Sequence, residues 1–264
     1  MPYSPLHQHS ASPWGWAVGG ALCGFVFALV MFAPAHWLAS ALEQASAGRV
    51  LLANARGTAW NGTGQLMLTG GAGSRDAAAL PSTLNWHIRP GAGQLFVSVY
   101  ASCCTPQPMH LQLRPRWGGI TLALADGQSN WPAQLLTGMG TPWNTVQPTG
   151  QLTLSSQDLS LDLIEGRIAI AGKARLDIKD LSSRLSTLRP LGNYSLNLQG
   201  GARPALELST QSGSMQLTGH GSWIGSRLHF DGTALAAPEQ EEALSNLLNI
   251  IGRRNGAQSI ISLG

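Results

Sequence analysis

Arg167-Ile-Ala-Ile-Ala-Gly-Lys-Ala-Arg-Leu-Asp-Ile-Lys179 repeats with a period of two. Ile168, Ile170, Ala174, Leu176 and Ile178 share one parity, and Arg167, Lys173, Arg175, Asp177 and Lys179 take the other. Successive side chains of an extended chain point to opposite faces, so this is a long strand with one apolar and one wet face. Just upstream, Leu159, Leu161 and Leu163 alternate with Asp158, Ser160 and Asp162 in the same way. Shorter versions occur at Leu66/Leu68, Leu84/Trp86/Ile88, Phe96 with Val97/Val99, Leu111/Leu113, Leu122/Leu124, Leu196/Leu198, Leu206/Leu208, Met215/Leu217 and Leu228/Phe230. Gly, Pro, Asn and Ser punctuate these segments, as turns require. The chain is expected to be mainly β, a twisted antiparallel domain with one face of its sheet buried.

An internal echo suggests how that domain is divided. Gly57-Thr-Ala-Trp60-Asn-Gly-Thr-Gly-Gln-Leu-Met-Leu68 resembles Gly140-Thr-Pro-Trp143-Asn followed by Gly150-Gln-Leu-Thr-Leu154, and Gly219-His-Gly-Ser-Trp223 is a looser copy. Each reads as a Trp in a Gly-rich turn before a strand. Two related β units, about 50–135 and 140–264, would produce this echo; so would convergent turn chemistry in a Gly-rich chain.

Near the end, the period changes from two to that of a helix. Pro238 suits a first turn, Glu239, Glu241 and Glu242 suit the positive end of the helix dipole, and Leu244, Leu247, Leu248 and Ile251 form an apolar stripe. Gly252 reads as the stop, with Arg253 and Arg254 at the negative end. A short C-terminal helix over Pro238–Arg254 is expected, its stripe covering the sheet or binding a partner. Ser259-Ile-Ile-Ser-Leu263 reads as a last strand.

The other end of the chain is of a different character. Trp14 to Leu38 contains no Asp, Glu, Lys or Arg, and the first charged side chain is Glu43. A span needs roughly 20 apolar residues to cross a bilayer core, so 14–38 is expected to be a transmembrane anchor. Trp14, Trp16 and Trp37 stand where interfacial aromatic belts occur. Ala33-Pro-Ala35 and Ala39-Ser-Ala41 offer small-residue cleavage sites, but the leading residues lack the Lys or Arg of a signal peptide and the apolar run exceeds a normal signal core. The anchor is therefore expected to be uncleaved. Orientation does not follow from charge: nothing precedes the span to count, and Arg49 beyond it argues weakly for the reverse topology.

Composition excludes several classes of function. Charged residues make up 11% of the 264, with a net charge of +3 and no basic run or aromatic-basic interleaving, so nucleic acid is not an expected partner. Phosphate-cradling loops, HExxH, CxxC pairs and nucleophile elbows are all missing from the sequence, and no catalytic, cofactor-binding or metal-ligating residues are expected. The seven histidines are dispersed; His110, His220 and His229 read as strand-face residues, and Asp158 with Asp162 as a solvated face. Cys23 lies in the apolar span. Cys103 and Cys104 are adjacent in a turn, where an oxidising compartment could join them or leave them as thiols.

These features together resemble the family of protein N of the type II secretion system, also called general secretion pathway protein N. The resemblance rests on the single anchor and on Ala55-Arg-Gly-Thr-Ala-Trp60-Asn-Gly soon after it. It rests also on Pro190-Leu-Gly-Asn-Tyr194 and on the closing Leu244…Leu247-Leu248-Asn249-Ile-Ile-Gly252-Arg-Arg-Asn-Gly256…Ser259-Ile-Ile. It implies a non-enzymatic, single-pass inner-membrane protein with residues 1–13 as a short cytoplasmic tail and 39–264 in the periplasm. Its implied partners are other secretion components, namely the inner-membrane platform and the outer-membrane secretin, with membrane lipid around the anchor. Trp60 and the Leu244/Leu247/Leu248/Ile251 stripe are the implied structural or interaction residues. A lipid-binding or lipid-bridging module with an apolar groove is the alternative, because one-sided strands must either fold over their apolar face or leave it open.

Overall fold

The computed structural model describes residues 14–264; the expected cytoplasmic tail lies outside the described residues. Helix α1 spans Trp14–Met31 and α2 spans Ala35–Ala45. The apolar run read from the sequence as one span to Leu38 is thus broken at Phe32–Pro34. Pro34 has no amide hydrogen to donate and disfavours helix at Ala33. At about 1.5 Å per residue, α1 is about 27 Å long, close to the hydrocarbon thickness. Among the described residues, nothing buries any of its side chains. Trp37, expected at the far membrane interface, belongs to α2, beyond the helix break.

The strands follow as β1 (Val50–Gly57), β2 (Asn61–Thr69), β3 (Ala77–Ala79), β4 (Leu84–Gly91), β5 (Gln94–Ala101), β6 (Met109–Arg116), β7 (Gly119–Leu124) and β8 (Gly127–Pro132). A 3-10 turn, Ala133–Met139, and helix α3 (Trp143–Val146) precede β9 (Thr149–Ile164) and β10 (Arg167–Ser182). Then come β11 (Gly192–Gln199), β12 (Ala205–Gly213), β13 (Met215–Ile224) and β14 (Arg227–Ala236). Helix α4 (Glu241–Ile251), β15 (Arg253–Asn255) and β16 (Gln258–Leu263) complete the chain. All sixteen strands join one antiparallel sheet. Its order follows the chain closely, with β3 paired to β2, β8 paired to β9, and β16 between β14 and β15.

Antiparallel partners share a face, so the register reveals how the apolar side chains line up. Ile88 opposes Val97, which opposes Leu111, and Leu111 opposes Leu124. Leu122 opposes Leu161, which opposes Ile170. Beyond, Leu176 opposes Leu196, which opposes Leu208. One apolar face therefore runs across the sheet, and Arg167, Lys173 and Arg175 lie on the other.

A bulge keeps that face continuous along β9. Its apolar residues change parity, from Leu152 and Leu154 to Leu159, Leu161 and Leu163. The register slips by one residue opposite Ala171–Lys173, with Asp158 at φ 48° and Gly172 at φ 81°. The extra residue returns the odd-numbered leucines to the same side. A Cβ on Gly172 would lie 2.1 Å from the Asp158 carbonyl oxygen, so only glycine fits.

Short hairpin turns line one end of the strands, between β1 and β2, β4 and β5, β6 and β7, β9 and β10, β11 and β12, and β13 and β14. The longer connections lie at the other end and fold over the apolar face as two separate cores. Leu52, Leu80, Leu84, Trp86, Ala101, Cys104 and Leu135 form the first, with α2 supplying Ala35, Leu38 and Leu42. Val146, Leu191, Tyr194, Met215 and Ala234 form the second, under Leu244, Leu247 and Leu248 of α4.

The closing helix is shorter than the Pro238–Arg254 expected from the sequence. Gln240 stands at its N-cap without a side-chain cap bond, and Gly252 is its C-cap, the stop expected, in extended rather than left-handed backbone at φ −168°. Pairing of β15 with β16 draws Arg253 and Arg254 into a strand. The three echoed tryptophans occupy unlike settings: Trp60 in a turn, Trp143 at the start of α3, and Trp223 within β13.

Candidate interaction surfaces

Helix α1 meets the sheet at the β1–β2 turn. The last carbonyls of any helix lack partners within it. Here the Trp60 indole Nε1–H donates to the Val30 carbonyl oxygen at 2.6 Å, and the Ala59 amide donates to that of Ala33 at 2.7 Å. Pro34 forms a bridge with Thr58, extending the contact through the helix break. The turn is fixed from below as well. Trp86 Nε1–H donates to the Ala59 carbonyl oxygen at 3.1 Å, and the Thr58 hydroxyl accepts from the Asn61 amide at 3.1 Å. Gly62 leaves room for the Trp86 ring, which a Cβ would approach to 2.4 Å. Trp60 was legible from the sequence as a candidate; its partner Trp86, on a neighbouring strand, was not.

At the other core, Leu244, Leu247 and Leu248 are fully buried and Ile251 is half-buried. Their apolar surface is taken up against Tyr194, Met215 and Leu191. Tyr194 is 1% exposed, its hydroxyl donating to the Met215 carbonyl oxygen at 2.9 Å. Burial drives its pKa well above the ordinary phenol value. Gly192 and Gly213 let two strands close over this ring: a Cβ on Gly192 would sit 2.8 Å from the Tyr194 oxygen.

Cys103 and Cys104 are joined as a disulfide in the β5–β6 turn. Cys103 is exposed and Cys104 is buried in the first core. The Cys104 carbonyl oxygen accepts from the Asn130 amide at 2.6 Å, which ties this turn to β8. The turn borders a cavity of about 530 Å³ lined by Pro106, Met109, His110, Leu124 and Asn130, among others.

His110 lies on β6, His220 on β13 and His229 on β14; His220 opposes Asp231, whereas His229 opposes Ser222. Asp162 accepts a hydrogen bond from the Thr121 hydroxyl, and Asp158 sits in the bulge. Among the described residues, no three His, Cys, Asp or Glu side chains are grouped to hold a metal ion. The one ion pair among those residues is Arg175–Asp177, on the wet face of β10.

A helix long and apolar enough to cross a membrane, pinned at its end to a large one-sided antiparallel sheet, defines a helix-led β scaffold. The family model for protein N of the type II secretion system (T2SS) matches residues 48–261, and the chain belongs to that family. It is a type II secretion component, in a family not known for enzymes, and family membership implies contact with other components of that system. No curated protein and no solved structure matches the chain.

Proposed function

We propose that the protein is an accessory inner-membrane component of the type II secretion system. In this reading α1 crosses the membrane, the sheet stands in the periplasm, and the work is done by protein–protein contact with the inner-membrane platform or the outer-membrane secretin. The observation that carries it is the junction at Trp60. A helix end held by Trp60, Ala59 and Pro34 supports this reading, because an anchor joined in this way would hold the sheet at a fixed place rather than on a free tether. Such placement suits a part that positions others and performs no chemistry itself. Deleting the gene should reduce export of type II substrates and leave them folded in the periplasm, with rescue by the full chain. Unchanged export after deletion would contradict the reading.

A second reading, an apolar groove for lipid, is favoured by one observation. On the apolar face, Val97, Leu111, Leu122 and Leu161 between the two cores, and Leu198 and Leu206 beside the second, are only half-buried. Native mass spectrometry of the detergent-extracted protein separates the two, since a groove in use carries acyl-chain mass and a scaffold does not.

A further inference from the structure

The end of the sheet that receives α1 has an unusual charge distribution. The three hairpins nearest the anchor comprise residues 55–63, 89–96 and 114–121. They hold Arg56, Arg89, Arg114 and Arg116 and not one Asp or Glu, in a chain whose 16 basic and 13 acidic residues otherwise nearly balance. All four arginines are exposed, and among the described residues none is ion-paired to a carboxylate. Three of them donate to imidazole, amide and hydroxyl acceptors instead. Arg89 Nε–H donates to His87 Nε2 at 2.6 Å, Arg114 Nε–H to Gln94 Oε1 at 2.7 Å, and Arg116 Nε–H to Thr121 Oγ1 at 3.4 Å. On the next hairpin Asp162 already accepts from Thr121, and Glu165 packs its side chain against Gly118 of the β6–β7 tip, so it faces the glycine and is not ion-paired to the arginines.

The same rim presents large apolar side chains to solvent. Trp117, at the tip of the β6–β7 hairpin, is 100% exposed, and Phe96 beside the β4–β5 turn is 40% exposed. Farther along, Ile224 and Leu263 are also on this rim. Outside α1 and the adjoining Phe32, Trp117, Ile224 and Leu263 are the most exposed large apolar residues described. An exposed Trp flanked by unpaired arginines suits the headgroup layer of an anionic bilayer. The indole lies at the polar–apolar boundary and the guanidiniums meet phosphate oxygens.

We propose that this rim is a second membrane contact, with Arg56, Arg89, Arg114, Arg116 and Trp117 resting on anionic phospholipid beside the anchor. The proposal rests on the reading of α1 as a membrane anchor, and it extends an interface that α1 already begins. Strands are about 4.8 Å apart, so the β6–β7 tip lies about 20 Å along the sheet from the β1–β2 turn. The contact would turn a single pivot at Trp60 into a line of support and restrain the sheet from swinging about its anchor.

The test uses the full chain carrying Cys23→Ser and Trp117→Cys, labelled at position 117 with a polarity-sensitive fluorophore under non-reducing conditions. It is reconstituted into vesicles of neutral phosphatidylcholine, or of phosphatidylcholine with phosphatidylglycerol, each containing a headgroup-proximal spin-labelled quencher. A several-fold stronger quenching is expected in the anionic vesicles. It should be lost with Arg114→Gln/Arg116→Gln, and at about 1 M salt, where screening shortens from about 10 Å to about 3 Å. A label at Met139, at the opposite end of the sheet, should not be quenched. If the protein floats with the vesicles but position 117 is unquenched, or is quenched equally in neutral lipid, the rim proposal is overturned. If it does not float at all, the anchor reading itself has failed.

Discussion

Trp60 and Val30 are 30 residues apart in sequence, yet the indole of one donates to the carbonyl oxygen of the other at 2.6 Å. This bond gives the Val30 carbonyl oxygen, near the end of α1, a second donor besides the Ala33 amide. It also makes the β1–β2 turn, and not the connecting segment 32–49 alone, a mechanical link between α1 and the sheet.

Trp60→Phe keeps an aromatic ring, though a smaller one, and removes the donor. The net value of one such bond is about 1 kcal/mol, which for a chain of this size lowers Tm by about 2–4 °C. The effect should be local: amide exchange of the detergent-solubilised chain should quicken at 31–36 and remain unchanged in β10. Unaltered exchange at the junction would show that the bond restrains nothing.

Leu248→Ala opens a cavity beneath α4, where Leu248 is fully buried. The cost should be about 2–5 kcal/mol, with increased protease sensitivity of the second core. Normal stability combined with failed secretion would mean that the stripe faces a partner. The exposed Asn249→Ala, one residue along the same helix, should change stability by less than about 0.5 kcal/mol.

Much of this was legible in the sequence, and the gaps have physical causes. Period-two alternation identified the longer strands that turn one apolar face inward, such as β9 and β10, but not β1, β3, β8 or β15, where no such alternation occurs. The same logic could not place Leu152 and Leu154 beside Leu159 and Leu161, because their parities differ. The Asp158 bulge reconciles them, and nothing local announces it except Gly172. The helix end was misjudged for a related reason: Arg253 and Arg254 suit a helix C-terminus, but pairing with β16 outweighs that preference. At the junction, Trp60 stood out in its Gly-rich turn, whereas Val30, Trp86 and Thr58 come together only through tertiary packing. The arginines of the rim were visible only as scattered charges until the strand order brought their hairpins to one edge.

Tyr194→Phe removes the donor to Met215 and should cost about 1 kcal/mol at neutral pH. The variant should also alter the alkaline limb of the stability curve. Burial raises the Tyr194 pKa in the folded state, so its contribution is complete below the unfolded phenol value and declines as pH rises past it. Melting curves between about pH 8 and pH 11 should therefore fall less steeply for the variant, phenols ordinarily titrating near 10. Parallel curves for the two proteins would contradict this.

Cys103→Ser with Cys104→Ala should leave secretion intact at normal protein levels, since neither sulfur faces a cluster of reactive groups. Cys104 is buried, so a modest loss of stability, about 1 kcal/mol, is expected from repacking alone. Loss of export without loss of protein would assign the pair a role in secretion.

The account depends most on the sheet standing outside the cytoplasm, on a helix that remains attached. A fluorescent protein that matures only in the cytoplasm, fused after Gly264 of the full chain, tests this directly when compared with a periplasm-competent reporter at the same position. The account predicts a dark first fusion and a bright second one, both retained in the inner-membrane fraction. Bright cytoplasmic fluorescence from the first would reverse the topology and remove the sheet from any role in the periplasm.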